Sequence, residues 1–287
     1  MAHPRCTGVV SGRSPSHCCR GWREMMLEHI ASRQNSLVKR LKRLADSKRA
    51  RVEAGLILSE GAHLLRTMRD AGVLPELIAI AERLADTPEI RSLLADCRGV
   101  RCVSIADAIF DQIAPTESPS GVLTLSPMQV PVHTPQSDAD TLVLENVQDP
   151  GNVGSLIRTA VAAGVRQVVL SPGCADAWSP RCLRAAQGAP WLATVYTDQD
   201  VGDFLDTYTG RVAATVLNGG QNLYDQDLLP PVAWLFGNEG QGLTKELAAR
   251  ATCRITIPMP GAMESLNVNA AAAVCLFEQV RQRSLTR

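Results

Sequence analysis

Three stretches in the C-terminal half carry residues whose types and spacing could do chemistry. "QDPGNVGSLIR" offers Asn152 and Arg158, six residues apart across an expected helix start. "LFGNEGQGLT" sets Gly237, Gly240 and Gly242 around the polar pair Asn238 and Glu239. "IPMPGAMESLNVNAAAA" brings Glu264, Ser265 and Asn267 to the head of an alanine run. The glycines of the second stretch imply a close approach to its backbone, because glycine is costly to order. A phosphate-cradling P-loop would need lysine where Leu243 stands, so a nucleotide triphosphatase is disfavoured. A dinucleotide loop reads G-x-G-x-x-G. This one reads G-x-x-G-x-G, and Glu239 would meet a pyrophosphate with the wrong charge. The loop therefore faces something uncharged or cationic.

Singly, each stretch has a structural reading. Arg158 could be a surface cation, Glu239 a cap for the next helix, and Ser265 or Asn267 a routine N-cap. Taken singly, these structural readings are favoured, although all three stretches follow expected strand ends. Open α/β sheets bind their ligands there.

The elements that must place them alternate along the chain. After His29, strands are expected at "GLILSEG", "ELIAIAE", "VRCVSI" and "GVLTLS", with helices over Ala62 to Asp70, Pro88 to Ala95 and Ala106 to Ile113. This describes a small α/β domain over residues 29–126, closed by a polar, proline-rich linker at 127–140. A second α/β domain, 141–287, runs from "TLVLENV" through "VRQVVLSP", "WLATVYT", "RVAATVL", "VAWLF" and "CRITIPM" to a final helix over Leu266 to Arg283. Its sheet should be mostly parallel with helices on its faces.

Composition sets the outer bounds. The 287 residues hold 29 Lys+Arg against 29 Asp+Glu, so contact with nucleic acid requires a local basic patch. "RQNSLVKRLKRLADSKRAR" supplies one, with Leu37, Leu41, Leu44 and Ala45 on one helical face and only Asp46 opposing its cations. Arg33, Lys39, Arg40, Lys42 and Arg43 are the candidate phosphate contacts. Nine cysteines in no paired pattern read as reduced cytoplasmic thiols, and His17-Cys18-Cys19 lacks partners at metal-ligand spacing, so no metal is expected. No apolar run reaches membrane-spanning length. Residues 1–28 read as a disordered extension, or as a start placed ahead of Met25 or Met26. They touch a transit-peptide composition but lack its amphipathic face.

In order, content and separation, "NVQDPGNVGSLIRTAVAAG", "FGNEGQGL" and "IPMPGAMESLNVNAAAA" resemble motifs one, two and three of the SpoU (TrmH-type) RNA ribose 2'-O-methyltransferases of the SPOUT superfamily. The likeness covers residues 141–285. "SRQNSLVKRLKRL" and "LSEGAHLLR" are similar to the ribosomal-protein-like substrate-binding domain of some members. Thr244 and Asn269 are mild variations on the pattern. The resemblance implies a deep trefoil knot in the C-terminal domain, an exception to the unknotted rule. It also implies a homodimer and S-adenosylmethionine as cofactor, held by Leu217, Gly237, Ile257, Met259 and Leu266. A cationic sulfonium removes the difficulty posed by Leu243 and Glu239.

The implied reaction is attack of a ribose 2'-hydroxyl on the cofactor methyl, with Asn152, Arg158, Glu239, Ser265 and Asn267 in the catalytic centre. Arginine stays protonated, so Arg158 is read as a clamp on the adjacent phosphate and a stabiliser of developing alkoxide charge, not as a literal base. The added N-terminal domain favours ribosomal RNA over tRNA. A non-catalytic RNA-binding protein is the rival class.

Overall fold

The computed structural model describes residues 27–286. The extension expected at 1–28 lies outside them except for its last two residues, and Glu28 already opens the first strand. His17, Cys18 and Cys19 lie outside as well.

The N-terminal sheet contains β1 (Glu28–Ile30), β2 (Leu56–Glu60), β3 (Leu77–Ala81), β4 (Arg101–Ile105) and β5 (Val122–Pro127), in the order β1-β4-β3-β5-β2. β4 runs parallel to β1 and β3, while β5 runs antiparallel to β2 and β3. Helices α1 (Ser36–Asp46), α2 (Lys48–Ala54), α3 (Ala62–Asp70), α4 (Pro88–Ala95) and α5 (Asp107–Ile113) surround it. Leu37, Leu41 and Phe110 from α1 and α5 pack with Leu58 and Ala79 on one face. Leu65, Met68 and Leu93 from α3 and α4 pack with Ile57 and Ile78 on the other.

The basic run does not form one helix. Ser47 is extended, its N–H donating to Arg43 O at the end of α1 while its hydroxyl accepts from Ala50 N at 3.2 Å to start α2. A serine that can cap wins over helix continuation. The break re-aims the cations that follow. Arg51 is buried, Lys48 pairs with Asp198, and Arg49 pairs with Glu53. Glu53, Asp176 and Asp198 thus join Asp46 in opposing the run.

The C-terminal sheet has seven strands: β6 (Thr141–Leu144), β7 (Gln167–Leu170), β8 (Thr194–Tyr196), β9 (Arg211–Thr215), β10 (Gln221–Asn222), β11 (Val232–Phe236) and β12 (Cys253–Thr256). Their order is β10-β12-β9-β11-β6-β7-β8, and every pairing is parallel. Both faces are covered by α6 (Pro150–Ala162), α7 (Pro180–Ala186), α8 (Val201–Thr207), α9 (Lys245–Arg250) and α10 (Val268–Ser284). β11 shows the consequence for sequence. Val232, Trp234 and Phe236 enter the core shared with α6, α7 and α10, while Ala233 and Leu235 join Phe204 and Leu247 on the opposite face. A strand buried on both sides reads as one apolar run.

α6 and α7 touch through Gly154, where an added Cβ would lie 2.4 Å from Cys182 O. Two expected boundaries move, and one strand is new. Ala189–Leu192 is a 3-10 turn, so the strand expected over "WLATVYT" starts only at Thr194. α10 starts at Val268, because the Asn267 side chain caps it. The short β10 had no apolar pattern to announce it.

The two sheets share an interior. One apolar cluster contains Ile57, Leu65 and Met68 of the first with Leu156, Trp178 and Leu183 of the second.

Candidate active site

The three motif stretches converge at the carboxyl ends of β6, β9, β11 and β12. β6 runs into Glu145, which is buried, and Asn146, whose φ of 52° lies in the left-handed region. Asp149 then caps α6, accepting from Asn152 N at 2.9 Å, with Pro150 at the first helical position. That fixes Asn152 in the first turn. Arg158 is six residues on, about 240° further round the helix in net rotation, exposed, and with no side-chain partner among the described residues.

The glycine loop closes on itself. Asn238 and Gly242 exchange backbone bonds at 3.1 and 2.8 Å, and Asn238 Oδ1 accepts from the amides of Gly240 and Gln241 at 3.0 and 3.1 Å. Asn238 Nδ2 donates to Asn146 O at 2.9 Å, tying this loop to the first. Glu145 ties them again, its carboxylate accepting from Thr244 N at 2.8 Å and Thr244 Oγ1 at 2.7 Å. Thr244 in turn caps α9.

Gly237 is crowded from within. A Cβ there would sit 2.2 Å from Gly242 C and 2.3 Å from Leu243 N. What crowds this glycine is its own loop's backbone, so any side chain there would force the loop open.

Glu239 faces the head of α6. Its Oε1 accepts from Asn152 Nδ2 at 2.8 Å, and its carboxylate receives weaker contacts from the amides of Gln148 and Asp149 at 3.5 and 3.4 Å. Burial pushes its carboxyl up, but the bonds from Asn152 and the backbone amides outweigh it and hold the group below the usual carboxylate range. Asn152 Oδ1 accepts from Asn269 Nδ2 at 2.7 Å, which brings in the third stretch.

Between these loops and the strand ends lies a cavity of about 680 Å³. Leu217, Gly237, Ile257, Met259 and Leu266, the five expected cofactor contacts, all border it. So do Glu239, Ser265 and Asn267. Asn152 stands one hydrogen bond behind Glu239, and Arg158 lies outside the lining. The volume is within the usual range for small-molecule sites, about 300–1,000 Å³. Glu239, Lys245 and Arg254 share the lining with apolar side chains. An apolar wall for a flat heterocycle, an acid for a cationic centre and bases for a carboxylate together fit S-adenosylmethionine. No group of three or more His, Cys, Asp or Glu side chains able to hold a metal occurs among the described residues.

Sequence reasoning passed over Glu145 and gave Asn269 no role. An acid closing an apolar strand was the available signal for Glu145. Of the expected RNA contacts, Arg33, Lys39 and Arg40 are exposed without a side-chain acid partner among the described residues. Lys42 pairs with Asp46 at 3.3 Å and Arg43 with Glu53 at 3.1 Å, both at the surface.

Known proteins resemble this chain along most of its length. The SpoU rRNA Methylase family model matches residues 140–277, and the model for the MRM3-like substrate binding domain matches 35–124. The chain is 31% identical over 259 residues to the 23S rRNA (guanosine(2553)-2'-O)-methyltransferase RlmP of Bacillus subtilis, covering 88% of this chain and 98% of that one. It is 33% identical over 269 residues to a Synechocystis protein described as an uncharacterized tRNA/rRNA methyltransferase, covering 88% of this chain and 94% of the other. The crystal structure of the AdoMet-bound rRNA methyltransferase from Sinorhizobium meliloti superposes with a TM-score of 0.77 at 28% identity, covering 89% of this chain and 98% of that one. The chain belongs to the SpoU rRNA methylase family.

Proposed function

We propose that this protein transfers a methyl group from S-adenosylmethionine to a ribose 2'-hydroxyl of RNA, with ribosomal RNA as substrate. The observation that carries the reading is the cavity at the strand ends, bordered by Glu239, Ser265, Asn267 and the five expected cofactor contacts. The cofactor, when bound, supplies an electrophilic methyl group. Glu239 places a carboxylate, ionised at neutral pH, on the wall of that cavity. Asn152 holds Glu239 in place from behind. Ser265 and Asn267 present a hydroxyl and an amide from the head of α10, suited to orienting a ribose.

Arg158 has the planar fork to grip a phosphate next to the reacting sugar. Its distance from the cavity lining supports a site completed by a second copy of the chain. α10 offers the surface for that copy, since Phe277 is 48% and Val280 36% exposed on its outer side. Phe277→Glu should convert a dimer to monomers in sedimentation, and methyl transfer should fall with it. The trefoil knot belongs to the same reading, supported by a strand order that inserts β12 between β9 and β10. A cytoplasmic setting goes with the substrate.

Ribosomal RNA is favoured because the relative from Bacillus subtilis is named for 23S rRNA and the N-terminal residues match a substrate-binding domain. The test is ribose methylation mapped across total RNA with and without the gene, together with labelled methyl transfer by the purified protein. A site lost from tRNA alone would reassign the substrate. RNA binding without S-adenosylmethionine binding would make the protein a non-catalytic binder.

A further inference from the structure

The hydrogen-bond chain across the three loops has a direction, and Glu239 imposes it. A carboxylate can only accept. Asn152 must therefore turn Nδ2 toward Glu239, at 2.8 Å, which leaves Asn152 Oδ1 facing α10. Asn269 fills that place with its own Nδ2, at 2.7 Å. The backbone of Asn269 is fixed too, because its N–H donates to Asn267 Oδ1 at 2.9 Å in the cap of α10.

This arrangement carries a visible cost. Asn269 Oδ1 is buried and has no hydrogen-bond partner among the described residues. Turning the Asn269 amide over would set its oxygen against Asn152 Oδ1. Asn152 could then respond only by turning its own oxygen toward Glu239. A buried orphan acceptor calls for an explanation, and here the explanation is the polarity of the chain.

We propose that Asn269 is a positioning residue of the methyltransferase site: its side-chain N–H fixes the orientation of the Asn152 amide, and through it holds Glu239 and the glycine loop against the head of α6. The proposal rests on the methyltransferase reading for its catalytic readout.

Two variants separate this role from simple packing. Asn269→Asp keeps the shape but offers Asn152 only oxygens. It sits in the first turn of α10, where a negative charge is favoured, so the fold should hold. Asn269→Ala removes the donor without adding a repulsive acceptor. If donor polarity matters, Asn269→Asp stays folded at the assay temperature yet loses about tenfold or more in single-turnover methylation, and Asn269→Ala falls between wild type and the Asp variant. If Asn269 only fills space, the isosteric Asp variant outperforms Ala, and the proposal is overturned. Hydrogen exchange of the Asn152 side-chain amide, followed by NMR, reads the orientation without turnover. Loss of its protection in Asn269→Asp supports the proposal, and unchanged protection overturns it. A wild-type protein that transfers no methyl group to RNA would sink the methyltransferase reading and leave the exchange measurement to decide the role of Asn269.

Discussion

Arg51 and Asp176 meet across the junction of the two sheets, with Nη2 2.6 Å from Oδ2 and side chains only 4% and 12% exposed. Each end is further satisfied. Arg51 also donates to the carbonyls of Leu44 and Ala45 at 2.7 and 3.2 Å, and Asp176 accepts from Trp178 N at 2.9 Å. A buried pair needs such extra bonds to offset its desolvation. The last cation of a run that reads as an RNA surface thus serves as an internal fastening between domains.

Arg51→Ala should lower stability by about 3–5 kcal/mol, because it leaves Asp176 buried without its partner. Replacing both residues together, Arg51→Met with Asp176→Leu, should cost much less. Denaturant midpoints of the two variants decide this. Equal losses would mean that the carbonyl contacts of Arg51, not its ion pair, dominate.

The glycine loop offers a paired contrast. Gly237→Ala should lower melting temperature and S-adenosylmethionine affinity together, since its Cβ would lie 2.2 Å from backbone. Gly240→Ala should melt as wild type, because the nearest heavy atom to its Cβ is Asn238 Oδ1 at 3.6 Å. Calorimetry on both proteins, with and without cofactor, makes the comparison. A Gly237→Ala protein of normal stability would show that the loop can open to admit a side chain.

On α1, the free cations should matter more than the paired ones. If Lys39 and Arg40 each contact a phosphate, replacing both with alanine should reduce the log–log salt slope of RNA binding by about 1.4–1.8. Lys42 and Arg43 must first release Asp46 and Glu53, so their replacement should change it less. An unchanged slope in both pairs would make α1 an ordinary solvated face.

Arg158→Lys keeps the charge and loses the planar fork. If Arg158 orients the ribose–phosphate unit, cofactor binding should be normal and RNA binding nearly so. Single-turnover methylation at saturating RNA should then fall on the order of a hundredfold, as an ångström of misplacement can cost. A near-normal rate would mean that charge alone suffices. A loss recovered by saturating RNA would make Arg158 a binding residue instead.

How much of this was legible from residue order depended on distance along the chain. The helices Ala62–Asp70 and Pro88–Ala95 are found where expected, the latter because Thr87 caps a turn that opens on proline. The three stretches were readable as loops at strand ends because residue type and position act locally there. Their mutual contacts were not. Asn269 meets Asn152 across 117 residues, and Glu145 meets Thr244 across 99. No local pattern records such a pairing. Gly237 is the intermediate case: crowding was evident from the glycines, but not that the crowding object is the chain itself.

The apolar cluster running through the junction also governs how the molecule comes apart. Each half keeps one apolar layer of its own, but Ile57, Leu65 and Met68 pack in the same interior as Leu156, Trp178 and Leu183, so the other layer is held in common. Separating them would present water with a large apolar face on each, so opening of one half is coupled to loss of the other. Recognition and chemistry therefore sit in one cooperative unit. Heat or denaturant should remove both abilities in a single step, with no temperature window in which the protein grips RNA but has lost its cofactor fold.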